Sequence, residues 1–187
     1  NCMGLNITIP YKEKAFDICD KVSPIAKKIK AINTLKVNQN QELIGTNTDI
    51  EGFINPIKKL NLSGKKSIVL GSGGAARSAV QGLIDLQLSE ITVISRNKTN
   101  LKKFLNDFKN FKTVKGSLAH DNYNEDLINQ VDLIINSTPI GMKNFNIDFD
   151  ELPFGKDFWS SLNPKSIVYD LVYNPRFTKL LRFSENK

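Results

Sequence analysis

The sequence predicts an α/β chain: a Rossmann-like, doubly wound parallel sheet preceded by part of a smaller α/β substrate domain. Three observations predict it. Over residues 63–187, almost continuously apolar runs such as "KSIVL" and "VDLIIN" alternate with helical patterns, as strands of a parallel sheet buried on both faces do. A glycine-rich turn, "GSGG", lies between the first of these strands and the helix after it. Residues 1–62 are patterned differently, with shorter, half-apolar strands. The polar stretch "KKLNLSGKKS", Lys58 to Ser67, divides the two parts, and the domain boundary is placed there.

The elements follow in order. In "LNITI", Leu5, Ile7 and Ile9 point one way and Asn6 and Thr8 the other, the period of a strand. "KEKAFDICDKV" sets Ala15, Ile18, Cys19 and Val22 on one side of a helix. "AINTLKV" and "ELIGT" flank "NQNQ", a hairpin with a polar turn. "DIEGFINPIKKL" predicts a helix capped by Asp49 and bent at Pro56. In the second part, strands are expected at "KSIVL", "EITVISR", "FKTVKG", "VDLIINSTP" and "KSIVYDLVY". Helices are expected at "GAARSAVQGLIDL", "TNLKKFLNDF" and "NEDLINQ". The stretch between Pro139 and Ser166, which holds Trp159, has no clear period and is assigned no element.

Composition narrows the function. The chain has 187 residues, is 40% hydrophobic and carries a formal charge of +7. No run approaches the roughly 18 apolar residues of a membrane span. Basic residues are scattered among acids without an aromatic-basic stripe, which argues against nucleic acid and leaves an anionic small molecule as the expected partner. Cys2 and Cys19 make no disulfide framework, so free thiols in a reducing cytoplasm are expected. His120 has no ligand-type residue at metal spacing and reads as a surface loop residue, so no metal is expected. The chain opens at Asn1 almost inside a strand and stops just after a helix face begins in "RFSENK". It reads as an internal piece of a longer protein.

The glycine turn has the G-x-G-x-x-G/A spacing at Gly71, Gly73 and Ala76. Gly71 allows the tight turn, Gly73 lets backbone approach a pyrophosphate, and Ala76 lets helix and strand pack closely. The helix start then offers free N–H groups to phosphates. A tight turn without ligand is the bland alternative. An NAD site would place a carboxylate at the end of the next strand. Here that end reads Ser95-Arg96-Asn97-Lys98, where Arg96 can pair with a 2′-phosphate and Lys98 adds a second cation. The cofactor expected is NADP.

In the first part, polar residues interrupt apolar patterns at Asn6, Thr8 and Lys12, at Asn33 and Thr34, and at Asn47, Thr48 and Asp49. Lys12 is notable because it stands at a helix start, where the dipole disfavours a cation. A solvated lysine and a capping aspartate are the bland readings of Lys12 and Asp49.

These segments together, "NITIPYK", "AINTL", "GTNTDIEGF", "GSGGAARSA", "INSTPIGM" and "YDLVYNP", resemble the shikimate dehydrogenase family in order and approximate spacing, over nearly the whole chain. The resemblance implies reduction of 3-dehydroshikimate to shikimate with NADPH, on the way to aromatic amino acids. It implies Lys12 and Asp49 as the catalytic pair, and Thr8, Asn33 and Tyr173 beside them on the substrate. It implies cofactor contacts at Gly71, Gly73, Gly74, Ala75, Arg96, Ser137 and Thr138; Ser72, Ser95, Asn97, Lys98 and Leu171 are expected beside them in the cofactor site. A homodimer stays open. The chain departs from the family in reading Ser95-Arg96-Asn97 for the usual asparagine-arginine-threonine, in carrying Pro56 within a helix, and in lacking the family's N-terminal serine motif and C-terminal glutamine segment. An NAD-dependent quinate/shikimate dehydrogenase and a non-catalytic nucleotide-binding relative are the competing readings.

Overall fold

In the computed structural model, which describes residues 3–119, 128–143 and 155–185, the chain builds two sheets. The first comprises β1 (Gly4–Asn6), β2 (Lys21–Val22), β3 (Thr34–Val37) and β4 (Leu43–Thr46), in the order β1-β3-β4-β2. Three helices accompany it: α1 (Lys12–Asp17), α2 (Pro24–Ile29) and α3 (Asp49–Ile57). The second sheet comprises β5 (Lys66–Leu70), β6 (Glu90–Ser95), β7 (Val114–Leu118), β8 (Leu133–Asn136) and β9 (Ile167–Asp170). It runs β7-β6-β5-β8-β9 with every pair parallel. Its helices are α4 (Gly74–Asp85), α5 (Lys98–Asp107), α6 (Gly155–Ser160) and α7 (Lys179–Glu185). The strand order reverses between β5 and β8, the place where open parallel sheets bind ligands, and the glycine turn leaves β5 there.

The pleat sorts the core residues. On β5, Val69 points to one face and joins Ala79, Val80 and Leu83 of α4, while Ile68 and Leu70 point to the other and join Phe158, Trp159, Leu162 and Leu180. Both faces are therefore covered. The first of these cores does not stop at the second sheet. Ile29 of α2 and Ile50, Phe53 and Ile57 of α3 lie in it, so α3 packs on α4 and ties the two parts together. Leu62, in the polar stretch between them, is buried in the same core.

Several elements differ from the sequence expectation for identifiable reasons. The strand predicted for "LNITI" ends at Asn6, because the Thr8 carbonyl accepts the Tyr11 amide and turns the chain. Leu5 is mostly exposed and only Ile7 packs inward. The helix predicted to reach Val22 ends at Asp17; Val22 belongs to β2, parallel to β4. Helix α2 was not expected, although Ser23-Pro24 is a readable start: Ser23 Oγ accepts the Ala26 amide at 3.3 Å and proline suits the first turn. The hairpin β3–β4 forms as expected, its turn held by Asn38, whose Oδ1 accepts the amides of Asn40 and Glu42. Trp159 lies in α6, almost fully buried. His120, Cys2 and most of "NEDLINQ" lie outside the described residues. No helix among the described residues is long and apolar enough to cross a membrane.

The α3–α4 contact depends on a glycine. A Cβ on Gly82 would lie 2.7 Å from Cδ1 of Phe53 and 3.0 Å from Cγ1 of Ile54. Phe53 is buried and stacked on Tyr169 at 5.3 Å, so it has little room to yield. Alanine in a helix interior gains about 1 kcal/mol over glycine, but overpacking costs about 1–3 kcal/mol. Gly82→Ala is therefore expected to lower stability in urea unfolding. A rise in the midpoint would show that the two helices have slack at their crossing.

Candidate active site

Lys12 is the first residue of α1 and Asp49 the first of α3, and their side chains meet: Nζ to Oδ2 is 2.7 Å. Asn33, just before β3, donates through Nδ2 to the other carboxylate oxygen of Asp49 and to the Thr48 hydroxyl, each at 2.8 Å. Its Oδ1 accepts the Thr48 amide and the Thr34 hydroxyl. The Asp49 amide is taken by Asn47 Oδ1 at 2.9 Å, and Asn47, buried, reaches back to the Ala31 carbonyl. Asp49 thus does not cap α3. Thr48 occupies the capping position without a side-chain cap bond, and the Asp49 carboxylate is aimed at Lys12 and Asn33 instead. The pair is part-buried, its side chains 16% and 30% exposed, and desolvation offsets much of its attraction, so it is weak grounds for stability. The placement has to be explained by chemistry.

The stem of Lys12 crosses to the glycine turn. A Cβ on Gly74 would meet Cβ of Lys12 at 2.9 Å and Cδ at 3.1 Å, so only glycine lets the lysine lie there. Gly71 has φ +104°, and a Cβ on it would strike Ser137 Oγ at 2.9 Å. Gly73, the residue before α4, is the opposite case. Nothing lies within 4 Å of its missing Cβ, and α4 starts with no side-chain cap, leaving first-turn amides open to a cleft. That cleft, about 360 Å³, runs between Thr8, Ile9 and Pro10 on one side and Gly73, Gly74, Ala75, Ser137 and Thr138 on the other. A second hollow of about 430 Å³ is lined by Asp49, Gly52, Phe53, Ser78 and Tyr169. The two share Lys12, Ala75, Leu171 and Tyr173, so the lysine stands at their junction.

The other expected site residues fall into groups. Thr8 and Tyr173 line the first cleft, Tyr173 mostly exposed at its mouth, and Leu171 lines both spaces. Asn33 acts through Asp49 and lines neither space. Ser72 and Ser95 bond to each other at 2.8 Å, tying the glycine turn to the end of β6. Arg96 and Lys98 are exposed beside it, and Asn97 caps α5 by accepting the Asn100 amide. Asn100, which no sequence signal singles out, also lines the cleft. Among the described residues no group of three ligand-type side chains could hold a metal.

Two further polar residues shape the cleft wall. Asn136 ends β8 and its Oδ1 accepts the amide and hydroxyl of Thr138. Asp170 ends β9; its carboxylate accepts from Asn136 at 3.0 Å, the Val172 amide at 3.0 Å and the Thr178 hydroxyl at 2.7 Å. Each bond to an amide two residues on stops its strand and turns the chain along the cleft. The readable signal was a polar residue closing an apolar run, in "LIIN" and "IVYD".

Residues 1–35 match the family model for the shikimate dehydrogenase substrate binding domain, and residues 55–146 that for shikimate / quinate 5-dehydrogenase. A shikimate dehydrogenase (NADP(+)) from Prochlorococcus marinus subsp. pastoris is 58% identical over all 187 residues; the chain spans 65% of that relative's length. Among solved structures, quinate dehydrogenase from Corynebacterium glutamicum in complex with NAD has TM-score 0.81 at 26% identity, over 98% of this chain and 64% of that one. Shikimate 5-dehydrogenase from Thermus thermophilus in complex with NADP(H) and shikimate has TM-score 0.73 at 26% identity, over 98% and 64%.

Burial raises the Asp170 carboxyl above the ordinary carboxylate range, and the bonds from Thr178, Val172 and Asn136 offset this only in part. The folded chain then holds the proton more tightly than the unfolded chain. The contribution of Asp170 is fully present below the unfolded carboxylate value and is lost as pH rises through its own raised value. Urea unfolding of the parent protein and Asp170→Asn across pH 3–8 should show the parent losing ground to the variant as pH rises. A constant difference would mean that Asp170 titrates alike in both states.

Proposed function

The chain belongs to the shikimate dehydrogenase family, and from that premise we propose that the protein it comes from reduces 3-dehydroshikimate to shikimate with NADPH. The observation that carries this reading is the Lys12–Asp49 pair at the junction of a phosphate-ready cleft and a second, substrate-sized hollow. Residues 1–62 are the substrate side and residues 63–187 the cofactor side.

The cleft fits a dinucleotide. The open space beside Gly73 accommodates a pyrophosphate against the first amides of α4, with Gly71, Ser72, Gly74, Ala75, Ser137, Thr138 and Leu171 around it. Ser95 fixes the turn, Asn97 orders the start of α5, and exposed Arg96 and Lys98 receive a 2′-phosphate. The end of β6 offers no carboxylate to a ribose diol at residues 95–98, which favours NADP over NAD. When bound, the cofactor supplies hydride to the ring ketone. The ammonium of Lys12 stabilises the charge that grows on the ketone oxygen and gives it a proton. Asp49 balances that ammonium and accepts from a substrate hydroxyl, while Asn33 holds its other oxygen. Thr8, which lines the cleft, and Tyr173, which lines both spaces, contact the substrate where cleft and hollow meet. Cys19 is a free thiol, in keeping with a cytoplasmic setting.

Steady-state kinetics on the whole protein test the mechanism. Lys12→Ala should lower kcat by roughly 10²–10⁴-fold and change the shikimate KM much less, because the interaction strengthens as charge develops. A raised KM with near-normal kcat would make Lys12 a binding residue only. Cofactor choice is tested by titration: Arg96→Ala should weaken NADP far more than NAD, each lost charge-assisted bond being worth about 1.5–3 kcal/mol. Equal weakening of both would remove Arg96 from the 2′-phosphate site.

A further inference from the structure

Arg77 lies on the face of α4 turned to the core and is 1% exposed. Nothing in the mechanism above uses it. Its Nε has no partner, so the charge is held in the core at a cost that a methionine or leucine would avoid. Its other contacts show what it gains. The guanidinium lies over the Phe104 ring, 5.3 Å from the centroid, and donates to the Ile29 carbonyl at the end of α2. It donates to Asp107 at 2.9 Å, but Asp107 is already paired with Lys30. Glu13 lies 3.5 Å away and is shared with Lys103 as Asp107 is shared with Lys30; both lysines are exposed, and of the two carboxylates only Glu13 comes from the first part of the chain.

Glu13 follows Lys12 in α1, a helix of six residues with no side-chain cap at its start. The backbone of Arg77 belongs to the first turn of α4, where its amide donates to the Gly73 carbonyl. One buried side chain therefore joins the turn that forms the cofactor cleft to the helix that carries the lysine. We propose that Arg77, through Glu13, is a positioning residue: it sets Lys12 at a fixed distance from the glycine turn and so aligns the proton donor with the hydride path. This rests on the reading of Lys12 as the proton donor.

The test uses the whole protein. Glu13→Gln keeps the size of the side chain and removes its charge, and Glu13 is exposed enough for the variant to fold. Its kcat should fall roughly 10-fold, a part of the ~10²-fold that a 1 Å misplacement can cost, while the NADP dissociation constant stays within about twofold. In a Lys12→Ala background the same substitution should change kcat by less than about twofold, because the group it positions is gone. Arg77→Lys should recover part of what Arg77→Met loses. Equal loss in both backgrounds, or an unchanged Glu13→Gln enzyme beside a crippled Lys12→Ala enzyme, would overturn the positioning role alone. A near-normal Lys12→Ala enzyme would overturn the proton-donor reading and this proposal with it.

Discussion

The stem of Lys12 lies against Gly74, and most of the site follows from that contact. A lysine from the first part of the chain can cross onto the turn of the second only where the turn has no Cβ. Once it is there, its ammonium needs a counter-charge, and Asp49 supplies one at 2.7 Å. The aspartate in turn needs its second oxygen and its backbone amide satisfied, which Asn33 and Asn47 do. Each step satisfies a polar group created by the step before. Desolvation offsets much of the attraction within this part-buried pair, so the arrangement serves the placement of a charge at the junction of two cavities.

The cleft walls are made by side chains that take over backbone bonds. Asn47 turns the chain into α3, Asn136 turns it off β8, and Asp170 turns it off β9, each by accepting an amide two residues ahead. The sheet therefore stops at the same level on neighbouring strands, and the loops it releases face the glycine turn across the strand-order switch. Ser72 and Ser95 do the equivalent between β5 and β6 with one hydroxyl pair. The shape of the cleft is thus carried by a few short polar contacts on a rigid apolar sheet.

The second sheet was legible because its strands are apolar runs and its turn has a glycine spacing with a mechanical reason at each position. Lys12 was legible as a cation that breaks a local rule and Asp49 only as a residue suited to cap a helix; the family's motif order joined the two. What stayed hidden has physical causes. β2 is two residues long and pairs parallel with β4, which leaves no period to read. The expected ends of β8 and β9 lie beyond Asn136 and Asp170, which capture the backbone first; past Asp170 the apolar Leu171, Val172 and Tyr173 hide that stop, whereas past Asn136 the polar Ser137-Thr138 already signals it. Arg77 reads as one cation in a helix, and its burial arises only when α1, α2 and α5 close around it.

A crystal structure of the whole protein with NADP and shikimate would test the central claim most directly. The account predicts Lys12 Nζ and an Asp49 oxygen within hydrogen-bonding distance, about 3 Å, of ring hydroxyls, with the pyrophosphate over Gly73 and the Lys12 stem still against Gly74. Shikimate bound with Lys12 turned away into solvent, or a pyrophosphate seated away from the start of α4, would contradict it.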